Sequence, residues 1–241
     1  MPTVSVVVPA LNEESYVGDL LGDLEEQTRA PEEVIVVDGG SSDGTVGVVE
    51  SAPNARLVPG APPVAAGRNL GAASASGEVL VFLDADVRLG RDFLARFVGE
   101  LEQRSLDLAC PRYVPEGSSR AAEGLHRTVN ALLKLFENVL PSGGGACIAV
   151  RREVFDASRG FDPELKFEDV ELVRRLARGR RFGVTAQEVR VSDRRFRKDG
   201  EARMVLRYSL LALLFALGRF RWANVVDYEF GRYGKDRPDG R

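Results

Sequence analysis

The chain has almost none of the residues that build disulfide, histidine-metal or membrane-spanning structure. Its two cysteines, Cys110 and Cys147, are too few for a disulfide framework. They point to a reducing, cytoplasmic setting and to packing roles, with a thiol beside a glycine-rich loop as the alternative for Cys147. One histidine, His126, excludes a multi-histidine metal site. The turn after the first apolar run is "PALNEE", with no glycine, so the G-x-G-x-x-G signature of a dinucleotide-binding oxidoreductase is missing. No G-x-x-x-x-G-K-[ST] phosphate loop occurs either, which excludes a P-loop NTPase. The opening "MPTVSVVVPALNEE" offers an apolar run of only about five residues, so no signal peptide is expected.

What is present is ordinary soluble-protein material. The 241 residues are 44% hydrophobic and 29% charged, enough for one large domain or two small ones. The charge is uneven. From Arg190 to Arg241 there are 13 basic and 7 acidic side chains, a surplus of six positive charges. The first 189 residues carry a surplus of nine negative ones. A basic tail suits an anionic partner (a membrane surface, a diphosphate or a nucleic acid), and a solvated basic surface is the plain alternative. Beyond Phe196, Phe220 and Trp222 the tail has no interleaved aromatic pattern, so no nucleic-acid partner is expected.

The first half alternates strand-like and helix-like segments. Val4–Val8, Val34–Val37, Arg56–Val58 and Val79–Leu83 read as strands. Glu14–Gln27, a short segment from Asp43, and Pro63–Ser74 read as helices. Short Val-rich strands between helices predict an α/β fold with a mostly parallel sheet. In the second half, helices are expected over Arg91–Gln103, Ser119–Val139 and Val170–Arg178, and strands over Leu106–Cys110 and Cys147–Val150. Leu125, Val129, Leu132, Phe136 and Val139 form one apolar stripe on the middle helix. The simplest division is a catalytic domain over 1–200 and a helical C-terminal extension over 201–241.

In an open α/β sheet, ligands bind beyond the carboxyl ends of the strands. The polar clusters fall there: "PALNEE", "DGGSSDGT" and "DAD". The last is the most demanding. A strand alternates its side chains, so Asp84 and Asp86 are expected to point the same way, and two like charges side by side call for a cation. Mg²⁺ or Mn²⁺ fits, being held by one or two carboxylates plus substrate phosphates. A polar strand end entering a turn is the alternative.

Four blocks in order resemble family 2 glycosyltransferases, nucleotide-diphospho-sugar transferases of the GT-A fold. They are "VSVVVPALNEE", "VIVVDGGSSDGT", "AAGRNLGAASASGEVLVFLDADV" and "FEDVELVRRLARGRRFGV". The resemblance runs from about Thr3 to Val184 and implies a Rossmann-like, mostly parallel sheet flanked by helices. It implies a nucleotide-sugar site at Pro9, Asn12, Glu13, Asp38, Gly67, Arg68, Asp84 and Ala85, with Arg68 near the diphosphate. Asn12 and Glu13 have helix capping as a rival role. The metal, Mg²⁺ or Mn²⁺, would be held by Asp86 and Asp84. The implied general base is Asp169, with Glu168 as the alternate, and the first turn of a helix also favours acids there. Gly143, Gly144 and Gly145 would shape the acceptor site, and Arg194 or Arg195 would approach the diphosphate.

The donor implied is a UDP- or GDP-sugar, and the acceptor a hydroxyl. The absence of Q-x-x-R-W disfavours a processive synthase. An inverting, non-processive hexosyltransferase is the leading reading. A retaining transferase making a small glycoside and a non-catalytic sugar-nucleotide binder are the alternatives. Three readings remain for the apolar run Leu210–Leu217, too short to span a bilayer. It packs in the core or a homodimer interface, lies at the inner membrane surface, or caps the site against a lipid-linked acceptor.

Overall fold

The computed structural model describes residues 1–116, 120–192, 211, 214–215 and 217–224. The chain alternates through β1 (Val4–Ala10), α1 (Val17–Glu25), β2 (Glu33–Asp38), α2 (Thr45–Glu50), β3 (Ala55–Pro59), α3 (Val64–Ser74) and β4 (Val79–Leu83). It continues through β5 (Val87–Leu89), α4 (Phe93–Gln103), β6 (Leu108–Glu116), α5 (Arg120–Leu135), β7 (Cys147–Arg151), α6 (Arg152–Asp156), α7 (Glu168–Leu176) and β8 (Phe182–Ser192). A last helical turn covers Phe220–Ala223.

The strands form one sheet in the order β3-β2-β1-β4-β7-β6-β8-β5. β1 is parallel to β2 and β4, and β2 to β3. β7 runs antiparallel to β4 and β6, β8 is parallel to β6, and β5 is antiparallel to β8. The expected parallel α/β sheet is therefore present, with antiparallel pairing through β7 and at the β5 edge.

Both faces of the sheet are covered, which is why its central strands read as continuous apolar runs. Val4, Val6 and Val8 of β1, with Val79, Val81 and Leu83 of β4, face one core with α1 and α4. Val7, Leu80 and Phe82 face the other, with Leu172, Val173 and Leu176 of α7. There Phe82 meets Phe161 edge to face, centroids 4.9 Å apart. Helix α3 lies close on β1: a Cβ on Gly71 would sit 2.3 Å from Val7 Cγ1, an approach only glycine permits.

Several boundaries differ from the sequence pattern. The first helix starts at Val17 rather than Glu14, because residues 13–16 form hydrogen-bonded turns on the Glu13 carbonyl. The strand expected over Leu106–Cys110 runs on to Glu116, carried by its pairing with β8. Strands β5 and β8 had no sequence signal strong enough to predict them.

The apolar stripe of α5 points the wrong way for a core. Val129, Leu132, Phe136 and Val139 are exposed. Leu133 packs inward against the second core, and polar contacts flank it: Asn130 brackets the Tyr113 backbone at 3.0 and 2.8 Å, and Glu137, in the turn after α5, accepts the Val184 N–H at 2.7 Å. The expected boundary at residue 200 lies outside the described residues. Leu211 and Ala223 of the extension pack with Phe167.

Candidate functional site

The carboxyl ends of β1, β2 and β4 share one edge of the sheet, and the loops there enclose a cleft of about 350 Å³. Its walls come from Pro9, Leu11 and Glu13, from Val37 and Gly39, from Pro62–Gly67 at the start of α3, and from Asp84–Asp86. Pro163–Lys166 and Glu168 close the far side.

The loops after β1 and β2 are stitched together. Asn12 adopts a left-handed conformation, φ +56°, which asparagine tolerates better than most residues. Its N–H donates to Ser41 Oγ at 2.9 Å, and its Oδ1 accepts the Ser42 N–H at 2.8 Å. The Glu13 N–H donates to Thr45 Oγ1 at 2.8 Å. Neither residue caps α1, whose N-cap is Tyr16. Asp38 is buried, and its carboxylate accepts the N–H groups of Gly40 and Ser41 at 3.0 and 3.1 Å. A carboxylate has about four lone-pair sites, so acceptor capacity remains.

The D-x-D stretch is a turn that follows the end of β4, not a continuation of the strand. β4 stops at Leu83, the Asp84 N–H donates to the Ala146 carbonyl at 3.2 Å, and Ala85 and Asp86 turn the chain into β5. Strand alternation therefore does not explain the pair. The turn does, by presenting both Asp84 and Asp86 to the cleft.

Arg68 departs from the expected cation facing a diphosphate. It is only 3% exposed, and its guanidinium is engaged by protein carboxylates. Nη2 donates to Asp84 Oδ1 at 2.6 Å and to the Gly145 carbonyl at 3.3 Å, while Nη1 donates to Glu168 Oε1. Its guanidinium carbon lies 5.3 Å from the centre of the Phe161 ring. Asn69 holds Phe161 in place, accepting its N–H and donating to its carbonyl, both at 2.8 Å.

Glu168 and Asp169 open α7, where the helix dipole favours acids. Glu168 is 1% exposed. Burial pushes its carboxyl up to about 8, against the pull of Arg68 and with the help of the Asp169 charge. Asp169 is partly exposed and accepts the Gly145 N–H. Burial of its carboxyl and the Asp84 charge also raise it, against Arg68 and the N–H groups of Val170 and Gly145. Burial is the main cause, and the single guanidinium that offsets it is shared among three carboxylates, Asp84, Glu168 and Asp169.

The glycine-rich loop is packed rather than loose. Gly143 lies against Cys110, and Tyr113 Oη is within 2.9 Å of both the Gly144 N–H and its carbonyl. A Cβ on Gly145 would sit 2.6 Å from Arg68 Nη2 and 2.9 Å from Asp169 Oδ2. Both cysteines are buried and unpaired, as packing roles require. Arg194 and Arg195 lie outside the described residues.

Among the described residues, no cluster of three or more His, Cys, Asp or Glu side chains could hold a metal. Asp84 and Asp86 still suit Mg²⁺ or Mn²⁺, since such ions take one or two carboxylates and complete their shell with phosphate and water. Asp84 gives one oxygen to Arg68, which leaves the other for a cation.

The sequence model for glycosyl transferase family 2 matches residues 5–158. The chain belongs to that family. The match spans the β1 and β2 loops, Arg68 and the D-x-D turn, and stops before the acid pair. The O-antigen biosynthesis protein RfbC of Myxococcus xanthus is 31% identical, over 77% of this chain and 17% of its own length. Validoxylamine A glucosyltransferase of Streptomyces hygroscopicus subsp. limoneus is 38% identical, over 39% of this chain and 22% of its own. The chain thus spans about a fifth of each of these family relatives.

Solved structures agree on the fold. The mannosyltransferase PcManGT of Pyrobaculum calidifontis, in complex with GDP-Man and Mn²⁺, superposes with a TM-score of 0.69 at 23% identity. That likeness covers 95% of this chain and 65% of the other. Glucosyl-3-phosphoglycerate synthase of Mycobacterium tuberculosis, in complex with Mn²⁺, UDP and glucosyl-3-phosphoglycerate, gives 0.62 at 22%, covering 91% and 80%. The GT-A architecture of the family is the fold of this chain.

Against that family, sequence reasoning missed two walls of the cleft. Pro62–Val64 carries no ionisable group, and Pro163–Lys166 carries Glu164 and Lys166 outside any motif, so only the prolines hint at shaped loops.

Proposed function

We propose that the chain transfers a sugar from a nucleotide-diphospho-sugar to an acceptor hydroxyl, with inversion and one transfer per encounter. The observation that carries this reading is Arg68 joining Asp84 of the D-x-D turn to Glu168 of the acid pair beside one cleft. Donor carboxylates and acid pair are one connected unit.

The nucleoside lies between the β1 and β2 loops, where Pro9, Leu11 and Val37 supply apolar wall and Glu13 a polar one. Asp38 accepts from a base N–H or a ribose hydroxyl, and Asn12 holds the loop that frames it. Gly67, Asp84 and Ala85 border the sugar-diphosphate end. Asp86 and Asp84 are the residues that would hold Mg²⁺ or Mn²⁺, and such an ion would supply positive charge for a leaving diphosphate. The Mn²⁺ complexes of the structural neighbours, one with GDP-Man and one with UDP, support a GDP- or UDP-sugar donor.

Asp169 takes the proton of the acceptor hydroxyl as that oxygen bonds to the anomeric carbon. The carbon–oxygen bond to the diphosphate breaks on the opposite side, the nucleoside diphosphate leaves with the electron pair, and the configuration inverts. A carboxyl held above its ordinary range is better matched to this task near neutral pH. Glu168, buried against Arg68, orients the pair rather than meeting the acceptor. Gly143–Gly145 form the acceptor-side wall because any side chain at Gly145 would displace Asp169. Two buried, unpaired cysteines support a cytoplasmic setting.

The test is product analysis with UDP- and GDP-sugars and a panel of hydroxyl acceptors. The expected product has the anomeric configuration opposite to the donor by NMR, and Asp169→Asn abolishes it. Retention of configuration would overturn the inverting mechanism, and full turnover in Asp169→Asn would remove the base assignment.

A further inference from the structure

The far wall of the cleft is held by a part of the chain outside the family match. Pro163–Lys166 closes that side of the cleft and leads through Phe167 into Glu168 and Asp169. All of it lies beyond residue 158, where the match ends. A connecting segment of this kind is fixed by the partners its backbone groups find.

Two residues supply those partners. At the start of the loop, Asp162 Oδ1 accepts the Glu164 N–H at 3.1 Å, and the Asp162 carbonyl accepts the Leu165 N–H at 3.2 Å. From the C-terminal extension, Asn224 takes the next two groups. Its Oδ1 accepts the Lys166 N–H at 2.9 Å, and its Nδ2 donates to the Glu164 carbonyl at 2.8 Å. A side-chain amide presents an acceptor and a donor side by side, which suits an N–H and a carbonyl two residues apart.

Asn224 is itself held in place. It ends the helical turn Phe220–Ala223, and its N–H donates to the Arg221 carbonyl at 3.3 Å. Ala223 is fully buried beside Phe167, with Leu211 in the same cluster. The Phe215 ring meets the Phe167 ring edge to face, centroids 5.4 Å apart. Arg174 of α7 donates to the Phe215 carbonyl, and its guanidinium carbon lies 5.7 Å from the centre of the Phe220 ring. The described residues of the extension are thus packed on the cleft wall and on the helix that carries the acid pair.

We propose, resting on the transferase reading of the cleft, that Asn224 is a positioning residue for the nucleotide: by bracketing Glu164 and Lys166 it sets the wall against which the donor is held. A wall ordered before the nucleotide arrives costs no affinity to order afterwards. The Arg221–Glu164 ion pair reaches the same loop, but its side chains are 79% and 71% exposed, and such pairs contribute little. The amide bracket acts on the backbone itself, so it fixes the path of the wall and not only one side chain on it.

The test is calorimetric titration of UDP and of GDP, with Mn²⁺, into the full chain and into Asn224→Ala, Asn224→Asp and Arg221→Gln. Amide hydrogen exchange over residues 164–166 and thermal unfolding are followed alongside. One nucleotide is expected to bind wild type, and to bind Asn224→Ala roughly tenfold more weakly. Exchange over the loop should be faster in free Asn224→Ala and should slow when nucleotide is added. Asn224→Asp keeps the acceptor for the Lys166 N–H and loses the donor to Glu164, so it is expected to fall between the two. Arg221→Gln is expected to stay within about twofold of wild type. Equal affinity in wild type and Asn224→Ala overturns the proposal and leaves the transferase reading standing, because a merely structural role moves exchange and melting but not affinity. A loss in Arg221→Gln as large as in Asn224→Ala also overturns it, by giving the wall to the ion pair. If neither nucleotide binds wild type, the transferase reading falls and the proposal falls with it.

Discussion

Arg68 and Glu168, one hundred residues apart in the chain, meet in a buried ion pair with side chains 3% and 2% exposed. The pair fixes α3, which borders the donor cleft, to α7, which carries the acid pair. It crosses the boundary of the family match, tying the matched first two thirds of the molecule to the acid pair beyond it.

Breaking that link leaves carboxylates buried with no counter-charge. Arg68→Met is expected to lower stability in urea unfolding by about 3–5 kcal/mol. Arg68→Lys keeps the charge but not the fork that reaches Asp84 and Glu168 together, and should fall between wild type and the methionine variant. A loss under about 0.5 kcal/mol for Arg68→Met, the range of an ordinary surface substitution, would contradict the account.

The raised Glu168 carboxyl predicts a pH dependence with a definite sign. Its value is about 8 when folded, against 4.5 for the free side chain. Between these limits the folded state binds more protons than the unfolded one, so stability falls as pH rises from about 4.5 to about 8. Glu168→Gln removes this slope. Unfolding free energies of the two proteins, measured across that range without metal, should therefore converge or cross as pH rises. Parallel curves would mean that Glu168 is not held above its ordinary range.

Gly145 separates the two ends of the site. A methyl group there must displace Arg68 Nη2 or Asp169 Oδ2. Gly145→Ala is expected to lower kcat by about 10²-fold, the effect of a small misplacement of a reacting group. Nucleotide affinity should hardly change, since the cleft walls are elsewhere. A weakened nucleotide with unchanged kcat would assign the loop to the donor instead.

The parallel half of the fold was legible because buried strands and amphipathic helices carry strong patterns. Val4–Val8 and Val79–Leu83 could hardly be anything else. The second half was less so. β8, "FGVTAQEVRVS", interleaves charged residues near the sheet edge and reads as no clean strand. The apolar stripe over Leu125–Val139 was legible but its exposure was not, because periodicity reports that a face is apolar and not what covers it. At the site, the carboxylates Asp38, Asp84 and Asp86 could be found as acids at strand ends. The burial of Arg68 could not, since nothing local distinguishes it from a solvated arginine: its partners Glu168 and Gly145 are 100 and 77 residues away.

The most direct test of the central claim is calorimetric titration of UDP and of GDP into the protein with Mn²⁺, with Mg²⁺ and with EDTA. Wild type, Asp86→Asn and Asp169→Asn should be compared. One nucleotide is predicted to bind wild type and Asp169→Asn with metal present, and to be lost in EDTA and in Asp86→Asn. Binding of neither nucleotide, or binding that ignores both EDTA and Asp86→Asn, would contradict a metal-assisted nucleotide-sugar site at the D-x-D turn.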